Sequence, residues 1–298
     1  MAIPESSRDL LWGAVSASLP QFDWPSATFT RGAFHEVALI GNSTALRVCT
    51  GAGHEDRAVR EMRTLDALAS AHLTAAIPRL TTELSSMPEW SAYGTTVVEG
   101  SADPNIRWSR VRTSLAHVLT ELATIPTDVV GPVRAWCGGP EWPERVSRIL
   151  SDHDKQTRRA AAAVIARLLD VESDAPRTFV HGDFGLHNIL LENGRVSGLI
   201  DFDCTGIGDP AADLAPLIGC FGSAPLQDIA DGATVMRARV HRATLSLQVA
   251  AAADIVGDLV LRNHAIHNFR DRLAAGTLEE PDLSLPRAAS APRHPTSG

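Results

Sequence analysis

The stretch from Thr178 to Leu214, TFVHGDFGLHNILLENGRVSGLIDFDCTGIGDPAADL, constrains the fold more than any other part of the chain. Phe179 and Val180 suit a short buried strand, after which His181-Gly182-Asp183 turns the chain. Ile189 to Leu191 and Val196 to Ile200 are apolar runs on either side of Glu192-Asn193-Gly194. An Asn-Gly pair between such runs predicts a tight hairpin. The second arm of that hairpin ends at Asp201, which sets this carboxylate beside Asn188 at the open end. Asn188 follows Asp183 by five residues, so two carboxylates and a carboxamide converge on one point.

Oxygen donors grouped in this way suit Mg²⁺, which takes one or two protein oxygens and fills its shell with phosphate and water. Phosphoryl transfer needs in-line positioning and charge neutralisation more than covalent chemistry. The spacing His-x-Asp-x-x-x-x-Asn matches the kinase catalytic loop, in which Asp accepts the acceptor hydroxyl proton and Asn holds metal. Asp183 is therefore the candidate base, with Asn188 and Asp201 the candidate metal ligands.

At these residues the chain resembles the aminoglycoside phosphotransferases and their relatives. The resemblance rests on His181-Gly182-Asp183, Asn188-Ile189-Leu190, Ile200-Asp201-Phe202-Asp203 and Gly208-Asp209-Pro210-Ala211-Ala212-Asp213-Leu214-Ala215, in that order. It implies an α+β, protein-kinase-like two-lobe fold, with a small β-rich N-terminal lobe and a larger, mainly α-helical C-terminal lobe. It also implies ATP or GTP bound between the lobes with Mg²⁺, and a hydroxyl of a small cationic antibiotic as acceptor. Gly32-Ala33-Phe34-His35-Glu36-Val37 and Gly206-Ile207-Gly208-Asp209-Pro210-Ala211 look most like the kinases of tuberactinomycin peptides such as viomycin and capreomycin. Aminoglycosides come next as acceptors and macrolides third. A metabolic small-molecule kinase of the same fold and a catalytically silent nucleotide-binding protein are the alternatives. No Ala-Pro-Glu segment follows Asp201, which weighs against a protein kinase. Asp209 precedes Pro210 and can cap the helix beginning there, so Asp209 and Asp213 read as structural.

Charge bears on the acceptor. The formal net charge is −8, and acidic residues outnumber basic ones both before and after residue 100. Such a field disfavours nucleic acid and anionic membranes and attracts a polycationic small molecule. A single Tyr leaves little for stacking on bases. The four Cys are scattered without a C-x-x-C pair and read as reduced thiols of a cytoplasmic protein. The first residues lack a basic n-region and carry Glu5 and Asp9 before their apolar residues, so no signal peptide is expected, and no apolar run is long enough for a membrane span. No obligate protein partner is expected.

The chain order agrees with two lobes, expected over residues 1–98 and 99–280, with a disordered Pro/Ser/Ala-rich tail over 281–298. A short helix after Ser6-Ser7 precedes a β-meander over Thr28–Arg31, Phe34–Ile40 and Thr44–Cys49. The loop Arg31 to Val37, with Gly32 and Phe34, lies where a nucleotide-covering loop belongs. Lys155 is the only Lys in the chain, so the strand Lys that kinases offer to phosphates is absent from the first lobe. Arg47 is its candidate substitute, and Glu61, on the inner margin of a helix over 55–71, is the candidate partner. Tyr93–Val98 reads as a strand ending at the hinge, where the resemblance gives backbone groups of Val97, Val98 and Glu99 to the purine. Helices are expected over 109–124, 146–171, 211–217, 229–252 and 253–274, with an irregular connector over 132–142. Asp203, His187, Asp254 and Asp258 are candidates for the acceptor, and Asp271 joins them as a carboxylate for amines. His264 and His267 stand three apart, but with no third ligand nearby they do not make a metal site.

Overall fold

The computed structural model describes residues 5–284 apart from Ala33 and Val129, so residues 285–298 of the expected tail lie outside the described residues. The N-terminal part is an antiparallel sheet of β1 (Ala27–Arg31), β2 (His35–Ile40), β3 (Thr44–Thr50), β4 (Ser85–Met87) and β5 (Trp90–Thr96), in the order β1-β2-β3-β5-β4. Helix α1 (Glu5–Ser18) covers one face and α2 (His54–Ala69) the other. Side chains alternate across a strand, so parity decides which helix each residue meets. Leu46 and Val48 of β3, with Trp90 and Ala92 of β5, join Trp12 and Val15 of α1. Cys49 and Tyr93 have the opposite parity and join Ala58, Leu65 and Leu68 of α2. Each such large apolar side chain contributes roughly 1.5–3 kcal/mol by leaving water. Arg47 shares the parity of Cys49 and pairs in register with Val37 and Tyr93, so it points at α2 from mid-sheet.

Beyond the sheet the chain is mainly helical. It runs through α3 (Trp108–Ala123), α4 (Trp142–Ile149) and α5 (Lys155–Ser173), then β6 (Thr178–Val180), the hairpin β7 (Ile189–Glu192) and β8 (Arg195–Leu199), and β9 (Gly206–Gly208). Helices α6 (Ala211–Phe221), α7 (Gly232–Ile255) and α8 (Leu259–Ala274) complete it. Strands β6 and β9 pair antiparallel and hold the two ends of the 181–205 segment together. The hairpin is fastened to the first lobe by Ala76, whose N–H donates to Ser197 O at 2.8 Å and whose carbonyl accepts from Leu199 N at 2.9 Å. After β5 the chain crosses at Gly100 (φ +123°), where a Cβ would stand 2.7 Å from Ser197 Oγ. The crossing therefore needs glycine for both conformation and space.

Two expected helices break where the sequence reading ran on. The segment 146–171 divides into α4 and α5, because Asp154 accepts from Thr157 N at 2.8 Å and Thr157 Oγ1 at 2.7 Å and so starts a new helix. Helices α7 and α8 meet at Gly257 (φ +76°) and Asp258, not at residue 252, with Asp258 capping Val260 and Leu261. Strand β5 likewise ends at Thr96, which leaves Val97, Val98 and Glu99 in the linker. The 132–142 connector holds two short 3₁₀ turns around Gly138 and Gly139, both at positive φ. Among the described residues, no helix is long and apolar enough to cross a membrane.

Candidate active site

The site is built at the end of β6. His181 is fully buried, its Nε2 3.1 Å from Ile200 O and its ring against Phe184 and Phe202. Asp213, in the first turn of α6, accepts the N–H groups of His181 at 2.9 Å and Gly182 at 2.7 Å. It thus fixes the backbone that presents Asp183. Burial pushes the Asp213 carboxyl up to about 7, although those two donors favour its charged form. Gly182 has φ +83°, and a Cβ there would lie 2.1 Å from Cys204 O, so the turn admits only glycine.

Asp183 Oδ2 accepts from Asn188 Nδ2 at 2.9 Å and stands 3.2 Å from His187 Nε2. Asn188 Nδ2 also donates to Asp183 O at 3.0 Å, which commits its nitrogen and leaves Oδ1 as the amide's remaining polar atom. Ile200 N donates to Asn188 O at 3.0 Å, so the strand end carrying Asp201 is joined to the loop carrying Asn188. The hairpin turn that brings this about has Asn193 at φ +53° and Gly194 at φ +75°, as an Asn-Gly two-residue turn requires. Asp201 itself has φ +66°, a conformation that costs a non-glycine residue energy and concentrates at functional sites.

Above these residues sits a buried charge cluster. Arg47 Nη2 lies 3.0 Å from Glu61 Oε1, 3.1 Å from Asp201 Oδ1 and 3.4 Å from Asp203 Oδ1, and Arg47 Nε donates to Tyr93 Oη at 3.2 Å. The Tyr93 hydroxyl donates in turn to Glu61. His35 Nδ1 is 2.8 Å from Asp203 Oδ2, and its Nε2 is 3.4 Å from Glu61. Burial drives the Glu61 carboxyl up to about 8 against the pull of Arg47. Burial alone would also raise Asp203, yet His35 and Arg47 beside it hold its carboxyl well below the usual range. For His35, burial works downward, but the Asp203 carboxylate prevails and holds the imidazole well above its ordinary value. At neutral pH the cluster thus sets the cations of Arg47 and His35 against the Asp203 carboxylate.

Two cavities open on either side of this constellation. One lies under the sheet and is lined by Gly32, Arg47, Val97, Val98, Asn188 and Asp201, among others. The other is lined by Asp183, His187, Asp203 and Phe34, together with Trp136 and residues of α6 to α8. Asp201 lines both. Of the expected nucleotide contacts, Phe34 belongs to the second cavity instead. It precedes β2 and turns toward the helical lobe, its ring centroid 6.3 Å from that of Trp136. Glu99 is exposed, and Val97 spends its N–H on Ser43 O at 2.9 Å, which leaves backbone groups of Val98 and the Val97 carbonyl for a base.

Asp254 and Asp258 are not among the residues lining either cavity. Asp254 is shared between Arg145 at 2.8 Å and Arg262 at 3.1 Å, and Asp258 faces Arg31 at 3.2 Å besides capping α8. Asp271 is exposed beside His267. Asp209 caps Ala211 as its position before Pro210 suggests, and it also carries a buried ion pair with Arg237 at 2.8 Å. Sequence reasoning missed His35, Tyr93 and Trp136 as site residues. For the first two a signal existed: both share the strand parity of Arg47.

The profile of the phosphotransferase enzyme family (APH) matches residues 32–243. The chain belongs to this family. It is 34% identical over 120 residues to the viomycin phosphotransferase of Streptomyces vinaceus, covering 37% of this chain and 40% of that protein. It is also 34% identical over 116 residues to an aminoglycoside 3′-phosphotransferase of Escherichia coli, covering 36% and 42% respectively. The match spans less than half the length of these curated relatives. The structure of the gentamicin–APH(2″)-IIa complex is similar with a TM-score of 0.69 at 16% identity, covering 87% of this chain and 95% of that one. The fold is the α+β, kinase-like one of that enzyme, with the β-rich lobe first and the helical lobe after it.

Proposed function

We propose that the chain is a Mg²⁺-dependent phosphotransferase that moves the γ-phosphate of ATP or GTP to a hydroxyl of a small antibiotic and so inactivates it. One observation carries this reading: the two cavities meet at Asp201, with Asn188 on the sheet side and Asp183 on the other. A donor bound under the sheet and an acceptor bound beside Asp183 therefore face each other across a single carboxylate. The carboxylate of Asp201 and Oδ1 of Asn188 are hard oxygen donors and fit Mg²⁺. When bound, the ion neutralises charge on the phosphates and orients them. Arg47 offers a guanidinium to the phosphate oxygens, and Glu61 with Tyr93 holds it there.

The Asp183 carboxylate receives the proton of the acceptor hydroxyl, and Asn188 and His187 hold that carboxylate in place through Oδ2. A cationic acceptor such as a tuberactinomycin peptide or an aminoglycoside is supported by the net charge of −8 and by the segment shared with the viomycin enzyme. Backbone groups near Val98 serve the base, the lobe boundary falls between residues 98 and 99, and the protein works in the cytoplasm. The test is expression in a sensitive host against a panel of antibiotics, with transfer of labelled γ-phosphate measured on the purified chain. Resistance to one compound, with a phosphorylated product that needs Mg²⁺, is the expected result. A chain that binds no Mg²⁺–nucleotide and transfers phosphate to nothing in the panel defeats the reading.

A further inference from the structure

Two consecutive residues of the first lobe line different cavities. His35, with Thr30, Gly32 and Val37, borders the space under the sheet, whereas Phe34 borders the space beside Asp183. Strand alternation accounts for the division. Thr30 and Val37 are partners in the register of β1 and β2, and His35, two positions before Val37, shares their face. Arg31 and Phe34 alternate with these residues and turn to the helical lobe. Arg31 Nη2 lies 3.2 Å from Asp258 Oδ2 at the cap of α8, and the ring centroid of Phe34 lies 6.3 Å from that of Trp136. A partly exposed ion pair such as Arg31–Asp258 adds little by itself. The ring pair is the stronger tie, since its separation falls within the range of roughly 4.5–7 Å at which aromatic side chains attract.

Trp136 is fixed from the far side. Val133 N donates to Ile207 O at 3.0 Å, the buried Arg134 donates to Glu172 Oε2 of α5 at 3.0 Å, and Gly139 N closes the turn onto Arg134 O at 2.8 Å. Phe34 and Trp136 both pack against the apolar cluster built from α4, α5, α7 and α8, to which no other described residue of the first lobe contributes. Phe34 is thus the one described side chain that the sheet lobe sends into that cluster, and it lies next to a residue of the nucleotide side. Any position of Thr30, Gly32 and His35 that a nucleotide favours fixes Phe34 as well, because adjacent residues share a backbone. Two ligands that favour the same arrangement of a shared element raise each other's affinity by the same factor.

Resting on the phosphotransferase reading, we infer that Phe34 is a positioning residue for the acceptor and couples the two sites: nucleotide bound against Thr30, Gly32 and His35 sets Phe34 against Trp136 and so completes the acceptor wall.

The experiment watches Trp136 in the full chain while only the nucleotide site is filled. Mg²⁺–ADP is titrated, tryptophan emission is recorded, and calorimetry on the same preparations establishes binding. Trp136 does not line the cavity under the sheet, so ADP reaches its indole only through the protein. The chain has six Trp, and the difference between wild type and Trp136→Phe isolates this one. Phe34→Leu removes the ring but keeps an apolar side chain at a partly buried position, so the variant should fold and bind nucleotide. The expected result is a saturable emission change in the wild type that falls at least about three-fold in Trp136→Phe and in Phe34→Leu at saturating Mg²⁺–ADP, while Phe34→Tyr keeps most of it. A change that is absent from the saturated wild type, that survives Trp136→Phe, or that survives Phe34→Leu overturns the inference. A wild-type chain that calorimetry shows not to bind Mg²⁺–ADP overturns the phosphotransferase reading itself, and the inference falls with it.

Discussion

Removing the guanidinium of Arg47 is the perturbation whose size follows most directly from the structure. Arg47 Nη2 stands within 3.4 Å of three carboxylates, Glu61, Asp201 and Asp203, and its side chain is 14% exposed. Breaking a buried pair by removing one partner costs about 3–5 kcal/mol, because the other charge is left uncompensated. Here the cost falls near the lower end. Glu61, already pushed up to about 8, meets the loss at neutral pH by holding its proton, while His35 still pairs with Asp203. Arg47→Ala should therefore destabilise the chain by roughly 3 kcal/mol, which for a chain of this size lowers Tm by about 6 °C. Arg47→Lys keeps the charge and loses the Nε bond to Tyr93, a cost of roughly 1 kcal/mol or about 2 °C. Thermal unfolding at pH 7, with and without Mg²⁺ and ATP, reads both effects. The rise in Tm caused by the nucleotide should shrink strongly in Arg47→Ala and be largely kept in Arg47→Lys. An Arg47→Ala chain that melts with the wild type and gains the same stabilisation from Mg²⁺–ATP refutes the argument, since Arg47 would then hold neither the cluster nor the phosphates.

Three further outcomes follow from the same geometry. Asp201→Ala removes the carboxylate shared by the two cavities, so the stabilisation given by ATP should no longer differ between Mg²⁺ and EDTA; a persisting difference puts the metal elsewhere. Gly182→Ala forces a Cβ to within 2.1 Å of a carbonyl at φ +83°, which should cost at least about 2 kcal/mol and depress turnover; near-normal stability and rate would mean that the turn relaxes freely. Between the ordinary carboxylate range and pH 7, the folded chain keeps a proton on Asp213 that the unfolded chain has released. The group's contribution to stability is thus full at low pH and is lost as pH rises through that window, by up to about 1.4 kcal/mol per unit. Asp213→Asn should show a slope flatter by one proton in denaturant titrations from pH 4 to pH 7, and an unchanged slope would place the proton on another group.

What the sequence disclosed and what it hid have different physical origins. The hairpin around Asn193-Gly194 was legible because a two-residue turn with both residues at positive φ strongly favours an Asn-Gly pair. Strand parity made Arg47 legible as a residue facing the helix that carries Glu61, and the same parity would have found His35 and Tyr93 had it been followed across the sheet. The breaks at Asp154 and at Gly257-Asp258 were hidden by helix-forming residues on both sides, although each carries a local cap. The fates of Asp254 and Phe34 had no local signal. Arg145 is 109 residues from Asp254, and Trp136 is about a hundred from Phe34, so only the folded chain reveals that one is neutralised and the other faces the helical lobe. Asp213 was readable as structural, but that it accepts the N–H groups of His181 and Gly182 depends on where α6 packs.

The central claim is that Asp183, Asn188 and Asp201 close on one transferring phosphate from two sides. Its most direct test compares Asp183→Ala with the wild type, measuring turnover of labelled γ-phosphate to the acceptor and the Kd of Mg²⁺–nucleotide on the same preparations. The account predicts that turnover falls by roughly 10²–10⁴-fold, as for the loss of a general base, while the Kd moves by no more than about two-fold. Turnover near the wild-type rate, or a loss explained entirely by weakened nucleotide binding, contradicts it.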